Sequence, residues 1–187
     1  CANDVRRFIV VPFSNSPEPE NNWKLHYLII RDQHKTPVLA TYFTELLCKD
    51  DMIAPAEASK RIEEIRQKDK YYLTSKVVMM GSLLSLGDHL YVNRKNPSWQ
   101  SAVKTMLQVM NEVKQECGAT ALHVRDLNSN DVEMRDFLIK EGFIKVEMPD
   151  IHTMTDLKWK SEQEYLSRFS SGSRWNFRKL ILEKKNN

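Results

Sequence analysis

Two runs rich in aromatic and β-branched residues, Trp23 to Arg31 and Val38 to Cys48, flank the polar segment Asp32 to Pro37. They read as an antiparallel hairpin, and this pair constrains the fold more than any other feature of the chain. A hairpin at the start suits a mixed sheet flanked by helices better than a strictly alternating parallel sheet. The remaining pattern is consistent with that class. Pro55 opens a predicted helix through Lys68 with Ala58, Ile62 and Ile65 on one face, and Tyr71 to Met80 reads as a strand ending at Gly81. Asn96 is placed to cap a helix that begins at Pro97, shows Trp99, Ala102, Val103, Met106, Met110 and Val113 on its inner face, and ends at Gly118.

Thr120 to Arg125 is a short β-rich run. Asn130 with Glu133 forms a capping-box signature for a helix reaching Glu141, with Gly142 as its stop. Phe143 to Met148 and Thr153 to Trp159 read as extended. Ser161 to Phe169 and Ser173 to Lys185 are the last two predicted helices, with Gly172 between them. The expected architecture is an α/β (α+β) mixed, mainly antiparallel sheet flanked by helices. Residues 1–22 form an N-terminal extension or leading strand, and 23–187 form one lobe.

Composition excludes several classes. The 187 residues are 41% hydrophobic, 28% charged and 9% aromatic, near the globular average rather than that of a disordered tail, a collagen-like rod or a coiled coil. The longest apolar runs, Tyr27 to Ile30 and Val77 to Met80, fall far short of the roughly 18 residues of a spanning helix. Cys1 to Pro12 lacks the pattern of a secretory signal. The chain opens on Cys1 and not on Met, which leaves its true start open. Three scattered cysteines, Cys1, Cys48 and Cys117, suggest reduced thiols and a cytoplasmic location. The net charge of +3 is uneven, because residues 158–187 carry eight Lys or Arg against three Glu. Such asymmetry marks either a solvated basic helix or contact with an anion.

The five glycines build neither G-x-G-x-x-G nor a Walker loop, the five histidines form no metal-ligand array, and no G-x-S-x-G elbow is present. No metal is expected. Polar groups concentrate instead in Gly81 to His89, where Ser82 and Ser85 offer hydroxyls and Asp88 can orient His89 or accept a proton. The alternative is an ordinary loop whose Ser and Asp bond local backbone. Arg125 and Asp126 stand at the end of a predicted strand, where α/β sheets place ligand-facing residues. Adjacent strand residues point to opposite faces, so these two need not pair with each other. Arg174 and Arg178 share a helix face beside Trp175 and Phe177 and form a candidate anion-binding pair, while Phe177, Leu180 and Ile181 are spaced to face a core.

Four segments together resemble the bacterial FemAB-like acyltransferases of the wider GNAT fold: Cys48-Lys49-Asp50-Asp51-Met52; Gly81 through Leu90; Arg125-Asp126 with Gly142-Phe143; and Ser173 through Lys179. The likeness runs from about Trp23 to Lys185. It is strongest to an uncharacterised acetyltransferase-like domain found with 8-amino-7-oxononanoate synthase-like aminotransferase modules. The resemblance implies a GNAT-like sheet with a splayed cleft and transfer of an acyl or aminoacyl group to an amine acceptor. Acyl-CoA or aminoacyl-tRNA would be the donor. Catalysis would rest on positioning, oxyanion hydrogen bonds and a base, for which His89 with Asp88 is the first candidate, and Ser82, Ser85, Arg125 and Asp126 would bind substrate.

Two departures qualify this expectation. Acetyl-CoA-dependent members carry an Arg/Gln-x-x-Gly-x-Gly/Ala loop that holds pyrophosphate at a helix N-terminus, whereas this chain has Arg94-Lys95-Asn96-Pro97-Ser98-Trp99 there. Two-lobed members also place much of their function in a second GNAT lobe, so the chain reads as the first half of such a protein. The competing expectation is a noncatalytic binding module that holds an anionic partner, such as tRNA or an acyl-carrier protein, on its basic C-terminal helix.

Overall fold

The computed structural model describes residues 16–148, 155 and 157–182. The chain divides into two compact units, the first ending at Met148 and the second starting at Pro149, where the sequence reading carried one lobe through to 187.

The first unit is a mainly antiparallel five-stranded sheet with flanking helices. After a 3₁₀ turn at Pro19–Asn21, β1 (Lys24–Arg31) and β2 (Pro37–Lys49) form the expected hairpin, with Lys24 opposite Glu45 and Ile30 opposite Leu39. Next come α1 (Ala56–Arg66), β3 (Thr74–Met80), β4 (Leu90–Val92), α2 (Trp99–Cys117), β5 (Ala121–His123) and α3 (Val132–Lys140). The sheet order is β1-β2-β3-β5. β3 runs antiparallel to β2, and β5 runs parallel to β3 after the α2 crossover. Short β4 was not foreseen. It pairs Leu90 with Thr41 just beyond the point where the Gly81 amide donates to the Tyr42 carbonyl at 2.9 Å. Residues 82–89 are therefore an excursion that leaves the line of β3 and rejoins it one position further along β2.

Alternation along each strand divides the core between the two faces of the sheet. On one face Leu39, Phe43, Val78 and Met80 pack against Trp99, Ala102, Val103, Met106, Leu107 and Met110 of α2 and against Met134, Phe137 and Leu138 of α3. This is the inner helix face expected from the 3.6-residue period, extended by Leu107, with Val113 at its margin. On the other face Trp23, Leu46, Cys48, Val77 and Met79 form a second cluster.

Several local expectations need correction. Helix α2 begins at Trp99, but Asn96 still serves its start, because Asn96 Oδ1 accepts from the Ser98 amide at 2.9 Å. Gly118 closes the helix in the left-handed region, φ 68°. The cap of α3 is Asp131, not Asn130, and its carboxylate accepts from the Met134 amide. The buried residue of α1 is Arg66, while Ile65 is exposed. Arg66 reaches inward to donate to Asp51 (2.6 Å), Glu63 (2.7 Å) and the carbonyls of Tyr72 and Leu73 (2.8 Å each), so a buried cation anchors this helix rather than an apolar stripe. Residues 143–148 join no strand. The Phe143 amide bonds back to Leu138, Ile144 is 88% exposed, and Lys145 pairs with Glu147.

The second unit holds α4 (Glu162–Ser167), capped by Ser161, and α5 (Ser171–Phe177), capped by Ser170, which continues as a π-helical turn over Arg178–Leu182. Gly172 lies inside α5 rather than between the helices. The ring of Tyr165 packs on Trp159, Phe169 and Phe177. Leu180 and Ile181 are exposed, contrary to the expected core role. Thr153, Met154, Asp156 and residues 183–185 of the expected elements lie outside the described residues, and Thr155 with 157–159 forms no strand. No helix among the described residues is long and apolar enough to cross a membrane.

One buried carboxylate makes stability depend on pH. Glu45 faces α2 from β2. Burial opposes its charge, but His26 (2.9 Å), Lys24 (3.5 Å) and Lys76 (3.7 Å) outweigh that and hold its carboxyl below the usual glutamate range. A carboxyl depressed in the folded state contributes stability that is present above its unfolded pKa and lost as pH falls through the folded one. The melting temperature of the wild type should therefore fall more steeply than that of Glu45→Gln between about pH 5 and pH 3. Parallel acid limbs would show that Glu45 does not contribute.

Candidate functional site

The excursion at 82–89 is held at both ends by threonines of β2. Thr44 Oγ1 donates to the Gly81 carbonyl at 2.6 Å and Thr41 Oγ1 to the His89 carbonyl at 2.7 Å. Inside this frame the His89 side chain lies over Gly81, and it is only 5% exposed. A Cβ built on Gly81 would stand 2.5 Å from His89 Cδ2 and 2.8 Å from Nε2, and Gly81 also has φ +73°. Glycine is thus required twice, for the backbone conformation and for the closeness of the ring.

His89 Nε2 lies 2.9 Å from Asp126 Oδ2 and 3.3 Å from Ser85 Oγ. An ionised carboxylate only accepts, so Nε2 carries the proton. Ser85 accepts from the Ser82 amide (2.8 Å) and donates its own proton to the Ser82 carbonyl (3.0 Å). Its hydroxyl is therefore not activated by His89, and a serine-nucleophile arrangement does not fit. In the neutral imidazole the lone pair is then on Nδ1, which makes no hydrogen bond among the described residues. The Tyr42 ring stands edge-on to His89 with centroids 5.5 Å apart.

Arg125 supports the far side. Its Nη1 donates to the Ser82 carbonyl at 3.0 Å, and its Nε stands 3.0 Å from Asp126 Oδ2 as an ion pair without hydrogen-bond geometry. Opposite orientation of Arg125 and Asp126 was expected from strand alternation. It fails because β5 ends at His123 and Asp126 adopts a left-handed backbone, φ 58°, which turns both side chains to one place.

Ser82, Ser85, His89, Arg125 and Asp126 thus meet in one cluster in which the side chains of Ser82 and His89 are buried, and their parts differ from those assigned. Ser82 is fully buried and has no surface for a substrate. Asp88 does not orient His89. It is exposed, with no hydrogen bond among the described residues, and Asp126 takes the orienting role from 37 residues away. Tyr42 was missed as a site residue, and Gly81, in the segment singled out from sequence, admits the close approach of the His89 ring. In the second unit Arg174 donates to the Phe169 carbonyl at 2.7 Å, so of the candidate anion-binding pair only Arg178 is exposed.

No group of three or more His, Cys, Asp or Glu among the described residues could hold a metal ion. The start of α2 does not fit a pyrophosphate. Pro97 has no N–H, and the amides of Ser98 and Trp99 already donate to Asn96. Comparison with protein families, curated proteins and solved structures finds no match to this chain.

Proposed function

We propose that this chain is an acyltransferase-like domain that transfers an acyl or aminoacyl group to an amine, with His89 as the base. The observation that carries this reading is the occupation of Nε2 by Asp126 and Ser85, which directs the imidazole lone pair to Nδ1. In the reaction the amine nitrogen attacks the carbonyl carbon of an activated ester or thioester, and Nδ1 takes the ammonium proton. The C–N bond forms, the C–O or C–S bond breaks, and the proton passes to the leaving alcohol or thiol. Asp126 holds the ring and balances the imidazolium charge, and Arg125 fixes Asp126 in place. The exposed carboxylate of Asp88 beside His89 attracts a cationic acceptor.

Incubating the full chain with acyl thioesters of CoA and of N-acetylcysteamine and a panel of amines, followed by mass spectrometry, should reveal an amide product. His89→Ala should lower its rate by about 10²-fold with little change in melting temperature. A wild-type rate in that variant, or no amide from any pairing, overturns the assignment. Free CoA should bind weakly or not at all, since the first amides of α2 are taken. A low-micromolar dissociation constant by calorimetry would contradict this.

The scattered cysteines suggest a cytoplasmic protein, and the resemblance further suggests one that works with a second GNAT lobe or an aminotransferase module. A second reading, a noncatalytic module for tRNA or an acyl-carrier protein, is favoured by one observation. Trp175 is exposed with Lys179 Nζ 4.6 Å above its ring, and Arg178 is exposed nearby in sequence. Salt-sensitive binding of either anion that is lost in Arg178→Ala, without any amide product, would support it.

A further inference from the structure

We infer that His26 is a second reactive imidazole, one that takes a phosphoryl group from an acyl phosphate onto Nδ1. Strand alternation puts Lys24 and His26 on the side of β1 that also carries Leu28 and Ile30, which pack in the core beneath α2. Register places Lys24 opposite Glu45 and His26 opposite Phe43, and the His26 ring lies flat on that of Phe43, with centroids 4.8 Å apart and planes 9° from parallel. Packing thus fixes the plane of the imidazole. Glu45 Oε1 lies 2.9 Å from His26 Nε2, and the Glu45 side chain is only 6% exposed. An ionised carboxylate only accepts, so Nε2 carries the proton and in the neutral ring the lone pair is on Nδ1. That nitrogen makes no hydrogen bond among the described residues and is not buried, and the His26 side chain is 34% exposed.

The surrounding charge selects the electrophile. Glu45 Oε2 accepts no hydrogen bond, and Lys24 and Lys76 stand 3.5 and 3.7 Å from it as ion pairs. Two ammonium groups against one carboxylate leave this cluster with an excess of positive charge, which favours an anionic donor and gives a neutral one no advantage. Lys76 is fixed, because its Nζ also donates to the Cys117 carbonyl at the end of α2 at 2.9 Å. Lys24 is 69% exposed and can follow an incoming group. An acyl phosphate meets these conditions, since its phosphoryl oxygens are anionic and its carboxylate leaves readily. The Nδ1 lone pair attacks phosphorus, the P–N bond forms, and the P–O bond to the acyl carboxylate breaks. No proton moves in this step. Nε2 keeps its own, and Glu45 balances the imidazolium charge. The chemistry does not rest on the acyl-transfer reading.

The test is incubation of the full chain with acetyl phosphate, followed by peptide mass spectrometry and phosphorus NMR. One phosphoryl group, stable in base and lost in acid, is expected on His26 Nδ1 and should be absent from His26→Ala. His34, an exposed histidine whose ring bonds only to Gln33, is the internal reference and should react at least about tenfold more slowly. Glu45→Gln keeps the shape of the side chain without its charge and should slow the labelling of His26 by about tenfold. Lys24→Ala should slow it by about threefold with an unchanged melting temperature. If Glu45→Gln does not melt cooperatively, Lys24→Ala and the comparison with His34 decide. His89→Ala should be labelled at the wild-type rate. Equal rates at His26 and His34, or an undiminished rate in either folded variant, overturns the inference. So does phosphate on Nε2, or acetylation of Lys24 without phosphate on His26.

Discussion

Met106→Asp is expected to remove the cooperative thermal transition of the sheet domain altogether. Met106 has no solvent exposure and lies in the cluster where α2 meets Phe43, Val78 and Met80. A carboxylate there has no partner, so it must either carry an uncompensated charge or stay protonated and give up its hydration. Either route costs about 4–5 kcal/mol or more, a large share of the roughly 5–15 kcal/mol that stabilises a domain. Met106→Leu, which conserves volume and polarity, should cost less than about 1.5 kcal/mol. Calorimetry of the two variants separates polarity from shape, and an unchanged melting temperature in Met106→Asp would refute the core assignment.

Gly81→Ala is expected to damage the site more than its single methyl suggests. The new Cβ would overlap the His89 ring, and alanine at φ +73° is strained in any surroundings. The ring is the part able to give, and its displacement breaks the contact with Asp126 that directs the lone pair to Nδ1. A fall in amide formation of about 10²-fold or more should accompany a stability loss of roughly 1–3 kcal/mol. The diagnostic measurement is a double-mutant cycle. On a His89→Ala background the steric part vanishes and only backbone strain remains, so the stability cost of Gly81→Ala should fall by about 0.5–3 kcal/mol. Additive effects would mean that Gly81 and His89 do not press on each other.

Local patterns accounted for much of the molecule. The opening hairpin, the inner face of α2 from Trp99 to Met110, the left-handed stop at Gly118 and the mixed, mainly antiparallel sheet all follow from periodicity and end signals that a short window contains. The same window also showed that polar groups concentrate between Gly81 and His89, and that Arg125 and Asp126 lie near a strand end, although the strand stops at His123. It misassigned elements whose form depends on a distant partner. β4 is a strand only because β2 is long enough to pair with it after β3 has ended. Residues 143–148 alternate like a strand yet have none beside them among the described residues, and α1 is held by Arg66 because two carbonyls and Asp51 wait for it from other parts of the chain.

Site chemistry divides in the same way. Sequence determined which groups were available, a histidine, two serines, an arginine and two aspartates in two segments. Tertiary structure decided which aspartate serves the histidine. Asp88 is next to His89 in the chain but is turned to solvent, whereas Asp126 is carried to Nε2 by the parallel pairing of β5 with β3 and by its own left-handed backbone. The direction of a side chain at a turn is set by φ and ψ and by what packs over it, and neither can be read from adjacency in sequence.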